Sequence, residues 1–220
     1  MIAAVAAILM AQAGPVWDRE VVLSSIADGK PLGRVEIYLK LLPQGGVRRK
    51  IISTFFLGAG KSYITDEEEW DGSGLMKSAV RRTRTGEESG QVLASFAEKK
   101  AILKFSAGGS GADEEVFDLP EGWERGEPAL TWLTAAKPAS GAVSRGARFD
   151  FDRMSWVQVT STYGGPVEVT LRGQRLSAFL ITDDLGISQW LDDKGLLIRQ
   201  IAKDDAGAVT WERISSVVRK

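Results

Sequence analysis

Apolar and polar residues alternate in short runs along most of this chain. Between Leu32 and Leu42 the aliphatic side chains recur at every second position, with charged or aromatic side chains between them. A period of two over this length predicts a β-strand with one buried face. The next residues, Pro43-Gln44-Gly45-Gly46, predict a hairpin turn, and Val47–Leu57 predicts the returning strand.

The clearest series of strands lies in the C-terminal third of the chain. Turn residues separate four β-branched and apolar segments there, namely Val167–Leu171, Leu176–Thr182, Ile187–Leu191 and Leu196–Ala202. The separators contain the glycine and aspartate residues that turns favour: Arg172-Gly173, Asp183–Gly186 and Asp192–Gly195. This pattern predicts an antiparallel meander.

Other short strands recur at a spacing of about 12 residues, which is typical of all-β folds. They are predicted over Trp17–Ile26, Lys61–Asp71, Leu75–Thr85, Gln91–Phe96, Ala101–Ser106, Glu114–Leu119 and Ala208–Val218. A polar linker is predicted over Pro138–Gly146. The one predicted helix is Glu127–Ala136, with Pro128 in its first turn and Lys137-Pro138 at its end.

These elements predict a mainly β fold of about thirteen strands and one helix. So many antiparallel strands must curl to hide their edges, which favours a curved antiparallel sheet or an incompletely closed barrel. The helix is expected to cover the concave face of the sheet.

The hairpin Lys61–Thr85 is unusually charged. Its first strand carries Asp66, Glu67, Glu68 and Glu69, and its second carries Lys77, Arg81, Arg82 and Arg84. Pairing of these strands sets acids opposite bases, which stabilises that register. The basic runs Arg48–Lys50 and Arg81–Arg84 leave an alternative open, a patch that binds phosphate headgroups or acidic glycans.

The amino-acid composition excludes several classes of function. With 28 basic and 29 acidic side chains the net charge is −1, which argues against a nucleic-acid-binding protein. The chain has no cysteine and no histidine, so disulfides, thiolate or histidine metal sites and Ser-His-Asp triads are excluded. We therefore predict no catalytic residue, no metal ligand and no cofactor, and expect a protein that is not an enzyme.

Residues 1–13, MIAAVAAILMAQA, form an uncharged apolar run that ends in small residues. This run predicts a secretory signal, although the usual positive start is missing. The mature chain, residues 14–220, is then one periplasmic or secreted domain with a helical insert at about 120–137. About ten apolar residues are too few for a bilayer crossing, which takes about 20, so the chain is expected not to span a membrane. A buried N-terminal helix is the alternative.

Two patterns suggest chemistry but have simpler explanations. Leu57–Ser62 resembles a phosphate-binding loop, but Phe55 occupies the position of its first glycine and a strand follows instead of a helix. The acid pairs Asp183-Asp184 and Asp192-Asp193 lie in glycine-containing turns, where aspartate bonds the local backbone. Asp150 and Asp152 could face the same side of a strand, which leaves a carboxylate-based glycan hydrolase as a third hypothesis, since such an enzyme needs two carboxyl groups about 5–9 Å apart across a cleft.

The layout resembles exported bacterial β-half-barrel proteins related to the periplasmic lipoprotein carriers (LolA/LolB-like). The features that carry this resemblance are the signal-like start, the early Lys30–Val35 turn and strand, the mid-chain helical insert and the closing hairpin Trp190–Gln200. The resemblance implies a partly open barrel whose cavity accepts an acyl chain or another apolar ligand.

Our leading hypothesis is an exported protein that binds a lipid or another amphipathic ligand between the helix and the sheet. Large apolar side chains are the predicted lining: Trp123, Leu130, Trp132, Leu133, Phe179 and Trp190. The alternative is an envelope module that binds a protein partner through a sheet edge or the charged hairpin and has no internal cavity.

Overall fold

The computed structural model describes residues 17–27, 30–57, 60–73, 75–97, 99–108, 113–120, 138–151, 153, 155–204 and 207–219. These residues form strands joined by turns, with one short 3-10 turn at Pro43–Gly45. The strands are β1 Arg19–Ala27, β2 Lys30–Leu41, β3 Val47–Leu57, β4 Gly60–Trp70, β5 Met76–Thr85, β6 Glu88–Ala97, β7 Lys100–Ala107, β8 Asp113–Asp118, β9 Val143–Asp150, β10 Ser155–Leu171, β11 Gln174–Asp183, β12 Ile187–Leu191, β13 Leu197–Asp204 and β14 Gly207–Val218.

All the described strands belong to one antiparallel sheet. Its order is β8-β7-β6-β5-β4-β3-β2-β1-β14-β13-β12-β11-β10-β9. Neighbours in the sheet are neighbours in sequence except at β1 and β14, which join the two ends of the chain in the middle of the sheet. The sheet is thus a meander that is closed between β1 and β14 and open between β8 and β9. The predicted curved antiparallel sheet is confirmed.

Two predictions about individual elements need correction or stay open. Part of the predicted linker Pro138–Gly146 is strand β9, whose polar sequence suits an edge strand paired on one side only. In contrast to the predicted covering helix, no α-helix occurs in the described part of the chain. The segment assigned to that helix, Glu127–Ala136, and the signal-like residues 1–13 lie outside the described residues.

None of the described segments is a helix with the length and hydrophobicity that a bilayer crossing requires.

The sheet curls until distant strands touch. Val21 and Leu23 on β1 pack against Tyr163 on β10 and Ile181 on β11, although β1 and β10 are not neighbours in the sheet. All four side chains are at least nine-tenths buried. We call the face that carries them the inner face.

The two edges of the sheet overlap instead of pairing. Phe149 on β9 and Trp156 on β10 are cross-strand partners, and Trp156 lies an odd number of positions from Tyr163, so it points to the outer face. Both rings nevertheless pack on Phe96 of β6, which the strand register places on the inner face. The inner face of β5–β8 therefore covers the outer face of β9 and β10.

The tip of the β10–β11 hairpin makes a second small core. A β-bulge lies between Tyr163 and Gly165, where Gly165 adopts a φ of 87°, and bulges of this kind bend a strand. Beyond the bulge, Val169, Ala178 and Ile198 are buried together on the outer face.

Three turns share one aspartate arrangement. The carboxylates of Asp71, Asp183 and Asp192 each accept hydrogen bonds from the backbone N–H groups two and four residues later, at 2.8–3.1 Å. This arrangement confirms that these aspartates form turns.

Removing the charge of Asp71 should lower stability in a pH-dependent way. Burial raises the pKa of Asp71, but hydrogen bonds from Ser73, Lys77 and Leu75 outweigh it and lower the pKa to about 2, against an ordinary value of 3.8. A depressed pKa stabilises the fold above the unfolded-state pKa, so D71N should lower the free energy of unfolding by about 1–2 kcal/mol near neutral pH. Urea denaturation at several pH values should show this difference disappearing as the pH falls from about 4 to about 2. A difference that is constant with pH would contradict it.

Candidate functional site

The acidic strand β4 has basic neighbours on both sides. On the outer face, Arg48 pairs with Glu69 at 2.6 Å and Lys50 with Glu67 at 3.3 Å. On the inner face, Arg49 of β3 pairs with Glu68 at 2.6 Å. The expected pairing of acids with bases is confirmed, and it extends to β3. The basic run Arg48–Lys50 is therefore engaged by β4, which disfavours the alternative of a free basic patch there.

The inner face also carries a well-formed pair between β4 and β5. Arg81 donates from Nε and Nη2 to the two carboxylate oxygens of Asp66, at 2.7 and 2.9 Å. Only 18% of the Arg81 side chain and 13% of the Asp66 side chain are exposed. The Arg81 guanidinium also lies 4.9 Å from the centre of the Phe151 ring. Its charge is thus compensated by Asp66, and its flat face is covered by an aromatic ring.

Cross-strand rows on the inner face of β5–β7 differ in the size of their side chains and in what covers them. Ala79, Ala94 and Leu103 form one row, in a cluster that also holds Phe149 and Trp156. Two residues along, Arg81, Val92 and Phe105 form the next row, near Phe151. The third row is Thr83, Gly90 and Ala107, which we call the floor.

Two adjoining clefts open above the floor. The apolar cleft, of about 320 Å³, also has Val92, Phe105, Phe151, Arg81 and Asp113 in its lining. The hydroxyl cleft, of about 470 Å³, also has Thr85, Ser89, Glu88 and Gly108 in its lining. Both volumes lie in the range of small-molecule sites, which is about 300–1,000 Å³. They exist because the floor carries short side chains where the row before it, Arg81, Val92 and Phe105, carries larger ones.

The clefts contain hydrogen-bonding groups and no metal site. In the hydroxyl cleft, the Thr85 hydroxyl lies 2.8 Å from that of Ser62, while Glu88 and Ser89 are exposed. No group of three or more acidic side chains within the described residues is arranged to hold a metal ion. The side chains that line the clefts can form hydrogen bonds and apolar contacts with a ligand.

Phe179 and Trp190, which we predicted to line one cavity, are not brought together. Phe179 is paired with Leu191 and Leu180 with Trp190, so Phe179 and Trp190 point to opposite faces. Phe179 stacks on Tyr163 at 6.4 Å on the inner face, where burial raises the pKa of Tyr163. Trp190 packs in the outer-face core.

The other four predicted lining residues, Trp123, Leu130, Trp132 and Leu133, lie outside the described residues. Large apolar side chains do not mark these clefts, because their floor consists of the small residues Thr83, Gly90 and Ala107. A usable signal was present: Thr83 and Thr85 alternate with arginines, and Gly90 interrupts an alternating strand.

Comparison with known proteins identifies the fold and no more. No protein-family profile matches the sequence, and no curated protein matches it. The fold is similar to that of a solved β-barrel-like protein, a domain of unknown function (DUF1849) from Brucella abortus. The TM-score is 0.60 at 11% identity, over 94% of this chain and 100% of that one. At this identity the likeness shows the fold alone.

A second solved structure is more distant. It is a DUF1089 family protein from Pseudomonas aeruginosa, with a TM-score of 0.40 at 12% identity over 74% of this chain and 87% of that one. That likeness is too low to carry an argument. A relation to the lipoprotein carriers is not among these findings and stays a prediction.

Proposed function

We propose that this chain is an exported binding protein that holds an amphipathic ligand on the inner face of its curled sheet. The observation that carries this proposal is the pair of adjoining clefts above Thr83, Gly90 and Ala107. One cleft has the apolar side chains of Val92, Phe105 and Phe151 in its lining beside polar groups, and the other has the hydroxyl groups of Thr83 and Thr85. A ligand with an apolar chain and a polar head matches that division.

The apolar chain would lie beside Val92, Phe105 and Phe151. Removing this surface from water gives the main favourable term, because burying apolar area is worth roughly 25 cal/mol per Å². The polar head would lie beside Thr83 and Thr85, whose hydroxyl groups both donate and accept hydrogen bonds. Export rests on the signal-like residues 1–13, and the carrier-like role rests on the resemblance to the lipoprotein carriers.

A titration with a dodecyl glycoside, kept below its micelle concentration, tests this proposal. We expect saturable binding at one site, with shifts of the Thr83, Val92 and Ala107 methyl resonances in the NMR spectrum. Shifts scattered over the whole surface, or binding that does not saturate, would speak against a cleft ligand.

One observation favours the alternative of a protein-binding envelope module. Val116 and Val143 are 54% and 56% exposed and lie on β8 and β9, the two edge strands of the sheet. Exposed edges of this kind accept an added strand from a partner. That function predicts a partner whose binding is lost in V116K and unchanged when the cleft is filled.

A further inference from the structure

The charges around the two clefts define the kind of head group that fits them. Among the described residues, Arg81 is the only cation in the lining of either cleft, and the other charged side chains there are the acids Asp113 and Glu88. A cation in an apolar cleft would normally favour an anionic ligand.

Arg81 does not provide that attraction. Both carboxylate oxygens of Asp66 accept its hydrogen bonds, and Phe151 lies against its guanidinium. An anion that displaced Asp66 from Arg81 would leave the Asp66 carboxylate largely buried without its partner, which is strongly unfavourable. The pair therefore presents no net positive charge to a ligand.

The hydroxyl cleft is also unfavourable for an anionic head group. Glu88 lies in its lining together with Thr83 and Thr85, and none of the described residues of that lining is a cation. A carboxylate or phosphate head group placed there would be repelled by Glu88, whereas a hydroxylated head group can exchange hydrogen bonds with the hydroxyl groups and with the Glu88 carboxylate.

We infer that the clefts select amphiphiles with an uncharged, hydroxylated head group over amphiphiles with an anionic head group. This inference rests on the proposed function, since it names the ligand class of the same site. The polar head lies in the hydroxyl cleft beside Glu88, and the alkyl chain lies in the apolar cleft.

The test compares two ligands with the same alkyl chain, dodecyl maltoside and dodecanoate, by isothermal titration calorimetry below their micelle concentrations. Wild-type protein should bind the maltoside at least about tenfold more tightly than dodecanoate at low ionic strength. The variant E88K replaces an exposed acid by a base in the hydroxyl cleft, so it should tighten dodecanoate binding at least about fivefold, while maltoside binding loses the Glu88 acceptor and does not tighten. That gain should shrink as salt is added.

E87K is the matched control. Glu87 is exposed in the adjacent turn and does not line the hydroxyl cleft, so E87K changes the net charge equally and should alter dodecanoate binding much less. The inference is overturned if wild-type protein binds dodecanoate as tightly as the maltoside, or if E88K and E87K act alike. If neither ligand binds wild-type protein, the proposed function fails and this inference fails with it.

Discussion

Replacing Trp156 by alanine is expected to lower the free energy of unfolding by about 3 kcal/mol, whereas phenylalanine at this position should lower it by less than about 1 kcal/mol. The alanine variant removes the ring that fills the overlap between the sheet edges. The phenylalanine variant keeps most of the ring, and the indole Nε1 of Trp156 has no hydrogen-bond partner in the described structure to lose. Urea denaturation of both variants measures the difference.

A double-mutant cycle shows whether the effect comes from the overlap. Phe96 and Trp156 lie on β6 and β10, which are not paired, and their rings meet edge to face at 5.7 Å. The F96A/W156A cycle should give a coupling energy of about 0.5–1.5 kcal/mol. A coupling energy near zero would mean that the two edges do not overlap at these rings.

Replacing Gly90 by leucine is expected to abolish ligand binding, with a loss of at least about 100-fold in affinity. Gly90 lies in the floor that both clefts share. A Cβ added there would meet only the Thr83 Oγ1 at 3.1 Å and the Ser106 carbonyl oxygen at 3.8 Å. The backbone therefore accepts a side chain after a small shift of Thr83, and the rest of the leucine fills the space that the ligand needs.

The matched control for G90L is S95L. Ser95 lies on the same strand at an exposed position and, being an odd number of residues from Gly90, points to the outer face. We expect S95L to bind dodecyl maltoside like wild-type protein and G90L to show no binding, while both variants unfold cooperatively. Unchanged binding by a folded G90L would place the ligand elsewhere.

Local patterns predicted most of the strands. The alternation in Leu32–Leu42 matches β2, and the aspartate and glycine turns of the C-terminal meander match the structure because both signals act over a few residues. The first half of the edge strand β9 falls in the predicted linker Pro138–Gly146, because an edge strand needs no continuous apolar pattern. Local sequence patterns cannot predict that β5–β8 overlap β9 and β10. This overlap depends on contacts between strands that are far apart in sequence.

The site could be predicted only in part. Pairing across Lys61–Thr85 followed from the signs of the charges. The clefts could not be predicted from the sequence, because the floor forms only when three strands bring Thr83, Gly90 and Ala107 into one row. The positions of Phe179 and Trp190 show the same limit, since one step in register decides which face a side chain occupies.

The fold explains why a cavity lies at this place. Where the two edges of the sheet overlap, the rings of Phe149 and Trp156 fill the space between them. These rings stabilise the curled sheet. Two rows further along, those rings no longer reach and the short side chains of the floor leave space. The residues that stabilise the overlap and those of the proposed binding site therefore lie on different rows of the same three strands, so a variant can change one without the other.

The most direct test is a crystal structure of the protein with a dodecyl maltoside analogue that carries bromine at the end of its alkyl chain. The anomalous signal of bromine locates the chain end independently of how the rest of the ligand is built. We predict one bromine peak between Phe105 and Phe151 and a sugar head beside Thr85 and Glu88. A bromine peak outside the inner face of β5–β7, or a ligand bound only along the edge strands β8 and β9, would contradict a cleft that holds an amphiphile.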